Sequence, residues 1–285
     1  MITEKQQNDK VWFVTGASKG LGADLVTRLI GEGYKVVATS RKRQALIDLI
    51  GEHANFFPLT MDVTSNNDVK NVIQQAIDKF GRIDVVVNNA GYSQIGAVEE
   101  LSDEEVKKNF DVNVFGPLNV IRNVAPYLRA QRAGHIFNIA SIGGFVGDFP
   151  AFGIYCSTKF AMAGYTESLA VEMQPFGIHT TLVYPGYFRT NFLEKDSAMV
   201  PENPIEAYAN AREVEAQHLN EINGNQPNDS KKAAAVFIEL STQEHPPVHF
   251  FMGVGASEFV KAKINVIEEA LAANLELAES TAITE

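Results

Sequence analysis

Thr15-Gly16-Ala17-Ser18-Lys19-Gly20-Leu21-Gly22 follows directly on the apolar run Val11-Trp12-Phe13-Val14 and leads into an amphipathic stretch. Glycines in such a turn permit backbone conformations closed to other residues and let the chain approach a bulky group closely. The helix that opens there presents free N–H groups and the positive end of its dipole, a ready site for a pyrophosphate. A strand, a glycine-rich turn and a helix form the opening unit of an α/β dinucleotide-binding fold. The spacing here is G-x-x-x-G-x-G, not the more widespread G-x-G-x-x-G.

The rest of the first two-thirds repeats that unit. Short β-branched or aromatic runs occur at 11–15, 35–39, 56–61, 83–88, 135–140 and 179–184, and helical patterns lie between them at 21–32, 41–52, 66–80, 103–129 and 153–175. The runs are apolar on both faces, as in parallel strands covered by helices on each side. The expected architecture is α/β, a Rossmann-like doubly wound parallel sheet. After Tyr184 the rhythm breaks into a Pro-, Asn- and Glu-rich stretch with a helical pattern near 205–219. Helical patterning returns at 229–242, a further strand is expected at 248–252, and a last amphipathic helix at 258–277 precedes a frayed tail, 278–285. The reading is one domain over 1–285, with a helical substrate lid at about 187–229 and a C-terminal extension at about 254–285.

Composition narrows the function. The 285 residues are 45% hydrophobic and 21% charged, which excludes a disordered chain. Against 35 Asp and Glu stand 24 Lys and Arg, so the net charge is −11, the wrong sign for nucleic acid or an anionic membrane surface. A single cysteine, Cys156, excludes an internal disulfide and a cysteine metal cluster. The histidines have no metal spacing, because Pro246-Pro247 keeps His245 and His249 off a common helical face; no metal is expected. The first ten residues are polar, without the apolar core of a secretory signal. No run approaches the ~18 apolar residues of a membrane span, so a cytoplasmic protein is expected.

The T-G-x-x-x-G-x-G turn resembles that of the short-chain dehydrogenase/reductase family. The resemblance covers about residues 10–191. It implies that Gly16, Ser18, Lys19, Gly20 and Leu21 cradle the phosphates of a nicotinamide dinucleotide. Asp62-Val63 would meet the adenine and Asn89-Ala90-Gly91 the adenosine ribose, while Pro185-Gly186, Phe188 and Thr190 would run along the nicotinamide. Which dinucleotide is read from charge. NAD-binding folds carry an acidic residue about 20 residues past the turn. Here stand Ser40 and Arg41-Lys42-Arg43. A guanidinium and a hydroxyl bind a 2′-phosphate that a carboxylate repels. Lys19 adds a second cation. Three cations at a helix N-terminus oppose its dipole, a cost that a bound dianion offsets. NADP(H) is therefore expected.

Tyr155 and Lys159 are four apart in a helical pattern and share a face. A tyrosine near its ordinary pKa of about 10 shuttles protons poorly at neutral pH, and an adjacent ammonium lowers that pKa. The pair is weak alone. Ser141 and Asn113 complete a family-like set, Ser141 beside the tyrosine to hold a carbonyl and Asn113 to support a water relay to the lysine. The same resemblance gives Tyr155 and Lys159 contacts with the cofactor. N-V-F-G-P-L at 113–118 and P-F-G-I at 175–178 look most like the 17β-hydroxysteroid-dehydrogenase-like branch.

The implied reaction is hydride transfer between the cofactor and a carbonyl or secondary alcohol, with Tyr155 as proton donor. Phe145, Phe149 and Phe152 lie between Ser141 and Tyr155 and suggest an apolar or aromatic ketone, with Tyr187 completing the wall and Tyr92, Phe188, Phe192 and Leu193 as further contacts. A β-ketoacyl-type reductase and a non-catalytic NADP(H)-binding sensor are the competing readings. Cys156, beside Tyr155 but turned about 100° from it on a helix, has no chemical role in this reading. Family resemblance implies a homodimer or homotetramer paired through the long helices near 103–129 and 153–175.

Overall fold

A computed structural model describes residues 9–283. Seven strands form the central sheet: β1 (Val11–Val14), β2 (Lys35–Ser40), β3 (Phe56–Thr60), β4 (Val85–Asn88), β5 (Gly134–Ile139), β6 (Ile178–Pro185) and β7 (His249–Met252). Their spatial order is β7-β6-β5-β4-β1-β2-β3. Every pairing in this sheet is parallel. The two halves wind outward in opposite directions from β1 and β4, and a crevice opens at that switch point, outside the carboxyl ends of the strands.

The alternation along β1 explains the two covering layers. Trp12 and Val14 face one side, with Leu25, Val26 and Leu29 of α1 (Gly20–Gly31) and, later in the chain, Ala233 and Phe237 of the helix Ser230–Leu240. Val11 and Phe13 face the other, with Val69 and Ile73 of the helix Asn66–Phe80, Val120 and Val124 of Gly116–Gln131 and Leu169 of Gly153–Met173. Each large side chain fully withdrawn from water contributes about 1.5–3 kcal/mol. Trp12 is fully buried and lies parallel to Phe137 at 6.4 Å and edge-on to Tyr34 at 6.1 Å.

The helices, in chain order, are α1, α2 (Arg43–Ile50), α3 (Asn66–Phe80), α4 (Asp103–Phe110), α5 (Gly116–Gln131), α6 (Gly153–Met173), α7 (Ala209–Ala216), α8 (Ser230–Leu240) and α9 (Ala256–Glu279). The single helix expected at 103–129 is broken: α4 and α5 are joined by a π-helical turn, Asp111–Phe115. α4 opens on a capping box in which the Ser102 hydroxyl accepts from Glu105 N and the Glu105 carboxylate accepts from Ser102 N. α9 runs to Glu279, past the expected end at 277, so the described part of the tail begins as helix. Among the described residues no helix is long and apolar enough to cross a membrane.

Between β6 and α8 the chain makes an excursion, 187–229. A short strand at Phe188–Arg189 pairs with Asn228–Asp229 and ties its two ends together. Ala198–Met199 pairs with Ser93–Gln94, just after β4. Three glutamates of the body hold its middle. The fully buried Glu100 carboxylate accepts from Ala97 N (2.7 Å), Ile205 N (2.8 Å) and Arg212 Nη2 (2.7 Å); Glu105 accepts from Glu202 N; Glu99 accepts from the Tyr208 hydroxyl.

Candidate active site

A cleft of about 650 Å³ lies along the carboxyl ends of the strands and under the 187–229 excursion. The glycine-rich turn lines one end of it. Gly16 and Gly20 take φ +63° and +58°, a region that suits glycine. A Cβ on Gly16 would stand 2.7 Å from Ala90 Cα, and one on Gly22 would stand 2.6 Å from Asn89 Nδ2 and 2.7 Å from Gly16 O. The turn is therefore packed directly on the end of β4. Asn89 clamps it there by donating from Nδ2 to Thr15 O and Gly16 O, each 3.0 Å, while the Thr15 hydroxyl accepts from the amides of Asn89 and Ala90.

Whether these residues suit a dinucleotide is tested at the start of α1. The first-turn N–H groups of a helix lack intrahelical partners. Lys19, at the capping position, offers no side-chain acceptor, and the first turn carries no acidic residue. Gly16, Ser18, Lys19, Gly20 and Leu21 all line the cleft. Free donors, a dipole end and a lysine thus face the space where a phosphate would lie, and the fit is good.

Ser40 and Arg41 line the cleft at the end of β2, and Asp62 and Val63 follow β3 along it. The other two cations of the basic run do not gather there. Arg43 Nε donates to Pro58 O at 3.0 Å. The Ser40 hydroxyl donates to Lys42 O and accepts from Lys42 N, closing a local turn. Of the run, Arg41 alone lines the cleft. Asp62 Oδ1 accepts from the amide and hydroxyl of Thr64, which orders its loop.

The end that carries Ser141, Tyr155 and Lys159 is built on β5 and α6. Ser141 follows β5, and its Oγ accepts from Gly143 N at 3.1 Å, which sets the hydroxyl at the mouth of a tight turn. Tyr155 and Lys159, one turn apart on α6, are both buried, with Lys159 Nζ 5.7 Å from the Tyr155 ring centre. Lys159 Nζ donates to Ile139 O at 2.9 Å. Burial pushes its pKa down to about 8. Burial also raises the Tyr155 phenol above its ordinary value, against a hydrogen bond with Ser141 that lowers it. The phenol is thus protonated at neutral pH, the form a proton donor requires. Burial, with the Asp148 carboxylate, pushes the Cys156 thiol up to about 12, so it stays a neutral neighbour.

Asn113 lies in the π turn between α4 and α5 and is completely buried. Its Oδ1 accepts from Tyr92 N (3.1 Å), and its Nδ2 donates to Tyr92 O (2.9 Å) and Thr158 Oγ1 (3.1 Å). A Cβ on Gly91 would stand 3.0 Å from Asn113 Oδ1 and 3.6 Å from Lys159 Nζ. Asn113, Gly91 and Lys159 are therefore brought together from three elements. Asn89, Ala90 and Gly91, and on the far side Pro185, Gly186, Phe188 and Thr190, also line the cleft.

Phe149, Phe152 and Tyr187 stand in its wall. Phe145 does not. Its ring packs edge-on against Tyr184 at 6.2 Å and Phe251 at 5.4 Å, on the β6–β7 side of the body, and it is absent from the cleft lining. The expectation for Phe145 is corrected: neighbouring strands offered the ring an aromatic niche. His218, which the sequence reading passed over, lines the cleft beside Phe152, ring centres 4.6 Å apart. Its Nδ1 is 2.8 Å from Val214 O and therefore carries the proton, leaving Nε2 to accept from the Tyr187 hydroxyl at 3.0 Å. Burial lowers its pKa, so it is neutral. Nothing local in the sequence links two residues 31 apart across a loop.

The sequence model described as short chain dehydrogenase matches residues 10–201. The chain is 36% identical over 246 residues to a 3-ketodihydrosphingosine reductase of Bacteroides thetaiotaomicron, covering 86% of this chain and 88% of that one. It superposes on a short-chain dehydrogenase from Streptomyces avermitilis with a TM-score of 0.89 at 34% identity, over 96% and 99% of the two chains. It also superposes on ElxO with NADP bound, with a TM-score of 0.72 at 26% identity, over 87% and 99%. The family match over residues 10–201, the near-complete superposition and these identities place the chain in the short chain dehydrogenase family, as an oxidoreductase acting on CH–OH and C=O groups.

Proposed function

We propose that the protein is an NADPH-dependent reductase of hydrophobic or aromatic ketones, which in reverse oxidises the secondary alcohols. The observation that carries this reading is one cleft with two unlike ends. At one end stand Lys19 and Arg41, cations that suit a 2′-phosphate; at the other, Ser141 and the buried Tyr155–Lys159 pair share the cleft with Phe149, Phe152 and Phe192. The NADP bound by ElxO, which shares the fold, supports the choice of cofactor.

The cofactor, when bound, supplies the hydride. The chain's own residues handle the proton and the position of the carbonyl. The Ser141 hydroxyl donates to the carbonyl oxygen and holds it beside Tyr155, which gives up its phenolic proton as the oxygen becomes an alkoxide. Lys159, with a pKa near 8, carries an ammonium at neutral pH that stabilises the resulting tyrosinate. Asn113 flanks the path by which water returns a proton to Lys159. The 187–229 excursion acts as a lid that keeps bulk water from the apolar wall.

A carrier-bound β-ketoacyl substrate would need a cationic docking surface. The outer part of the cleft instead carries Glu105, Asp111, Asp196 and Glu202, with Lys108 the cation beside them. The test is oxidation of NADPH and NADH against aryl ketones, keto esters, ketosteroids and long-chain ketones. The reading expects turnover with NADPH on the apolar ketones. Cofactor binding without turnover across the panel would establish the sensor instead. Arg41→Ala is expected to raise KM for NADPH far more than for NADH, and equal effects would refute the 2′-phosphate assignment.

A further inference from the structure

Helix α9 is 24 residues long, about 36 Å, yet only Ala256 and Val260 at its foot are buried. Beyond them it carries large aliphatic side chains in the open: Ile264, Ile267, Leu271, Leu275 and Leu277 are 39–74% exposed. Val260, Ile264, Ile267, Leu271, Asn274 and Ala278 follow one another at alternate spacings of four and three, the 3.5-residue period of a helix that packs along another helix. The shallow groove along this face is lined solely by residues of α9 itself, so no other part of the described chain covers it. An exposed apolar stripe of this kind, interrupted only by Asn274, marks an interaction surface.

We propose that α9 packs antiparallel against α9 of a second copy of this chain, about a two-fold axis. Charge along the helix selects that occupant and that direction. Apart from Glu258, which sits in the first turn, the foot half carries Lys261 and Lys263; the outer half carries Glu268, Glu269, Glu276 and Glu279. Antiparallel copies bring each lysine end against a glutamate end and oppose the two helix dipoles, whereas parallel copies stack four carboxylates on four. A two-fold axis produces the antiparallel arrangement from a single self-complementary surface. An anionic membrane is the wrong partner, because an interfacial helix needs cations on its polar face and this one is dominated by glutamate.

The pairing reaches the cleft. Phe259, at the foot of α9, lies against Phe149 with ring centres 5.8 Å apart, and Phe149 stands in the cleft wall. Val260 packs in one cluster with Ile142 and Val146, just past Ser141. This face is separate from α5 and α6, the helices that family resemblance implies for pairing. The inference stands independently of which substrate the enzyme reduces.

The test is sedimentation of the full-length protein. Wild type is expected to be a dimer or a multiple of one. Ile267→Glu with Leu271→Glu is expected to halve the mass and raise the dissociation constant at least about 100-fold, since the two-fold axis buries each new carboxylate twice. Far-ultraviolet circular dichroism is expected to stay unchanged, because both positions are exposed. Lys261→Glu with Lys263→Glu is expected to weaken the dimer, and adding Glu268→Lys, Glu269→Lys and Glu276→Lys to restore it. A monomeric wild type, whether or not it floats with lipid vesicles, would overturn the proposal, as would a mass indifferent to the Ile267 and Leu271 substitutions. A dimer that the apolar substitutions break but charge reversal leaves untouched would overturn the antiparallel arrangement.

Discussion

Replacing Lys159 by methionine is expected to change how stability depends on pH, and the size follows from burial of the amine. Lys159 is 4% exposed and its pKa in the folded protein is about 8, against 10.5 for the free side chain. The gap, at about 1.36 kcal/mol for each pH unit, corresponds to about 3 kcal/mol. Its sign is destabilising: between the two values the unfolded chain binds the proton that the folded chain releases, so stability rises with pH across that window. The cost is present in full below about pH 8 and gone above about pH 10.5. Methionine has no such cost at any pH. It also forfeits the bond to Ile139 O, a loss of about 1–3 kcal/mol. Comparing two pH values largely separates these contributions. The stability of Lys159→Met relative to wild type is expected to fall by about 2–3 kcal/mol from about pH 6.5 to about pH 10. Urea unfolding of the cofactor-free protein, followed through the fluorescence of the single buried tryptophan, Trp12, measures this directly. A difference that is constant with pH, or that grows in favour of the variant as pH rises, would refute the reasoning.

Tyr155→Phe is expected to lose at least about 100-fold in kcat while still binding NADPH, the scale of a missing general acid; stopped-flow turnover and cofactor fluorescence check the two halves separately. Gly22→Ala would set a Cβ 2.6 Å from Asn89 Nδ2 and 2.7 Å from Gly16 O, so it is expected to cost about 1–3 kcal/mol in thermal unfolding and to weaken cofactor binding as the clamp on the glycine turn shifts. Glu100→Gln removes the charge that binds Arg212 and offers an amide donor where Ile205 N or Ala97 N needs an acceptor. Limited proteolysis within 195–225 is expected to speed up about tenfold, with unfolding of the body little changed.

The fold and the two ends of the cleft were legible because each is written locally. An apolar strand, a glycine turn and an amphipathic helix constrain only residues adjacent in the chain, and six apolar runs alternating with five helical patterns leave few ways to wind them. Gly16, Gly20, Tyr155 and Lys159 belong to that class, since a turn or a single helical turn places them. Asn113 is different: it was found by resemblance, and its position depends on a π turn that no periodicity announces. Phe145, Phe149 and Phe152 are chemically alike in sequence, yet Phe145 turns to the niche formed by Tyr184 and Phe251 while the other two face the cleft. Arg43 likewise leaves Arg41 because Pro58 O on the neighbouring strand offers its guanidinium an acceptor. The pairing of His218 with Tyr187 and the latch on Glu100 join segments 31 and more residues apart. The sequence alone determined the order of the main strands and helices and where the glycine turn and the Tyr–Lys pair stand, because chain-local sterics and periodicity suffice for that. Only the tertiary structure decided which side chains share the cleft, which retire into the core and that α9 is left uncovered by the rest of the described chain, because those outcomes depend on packing between elements that the chain brings together from a distance.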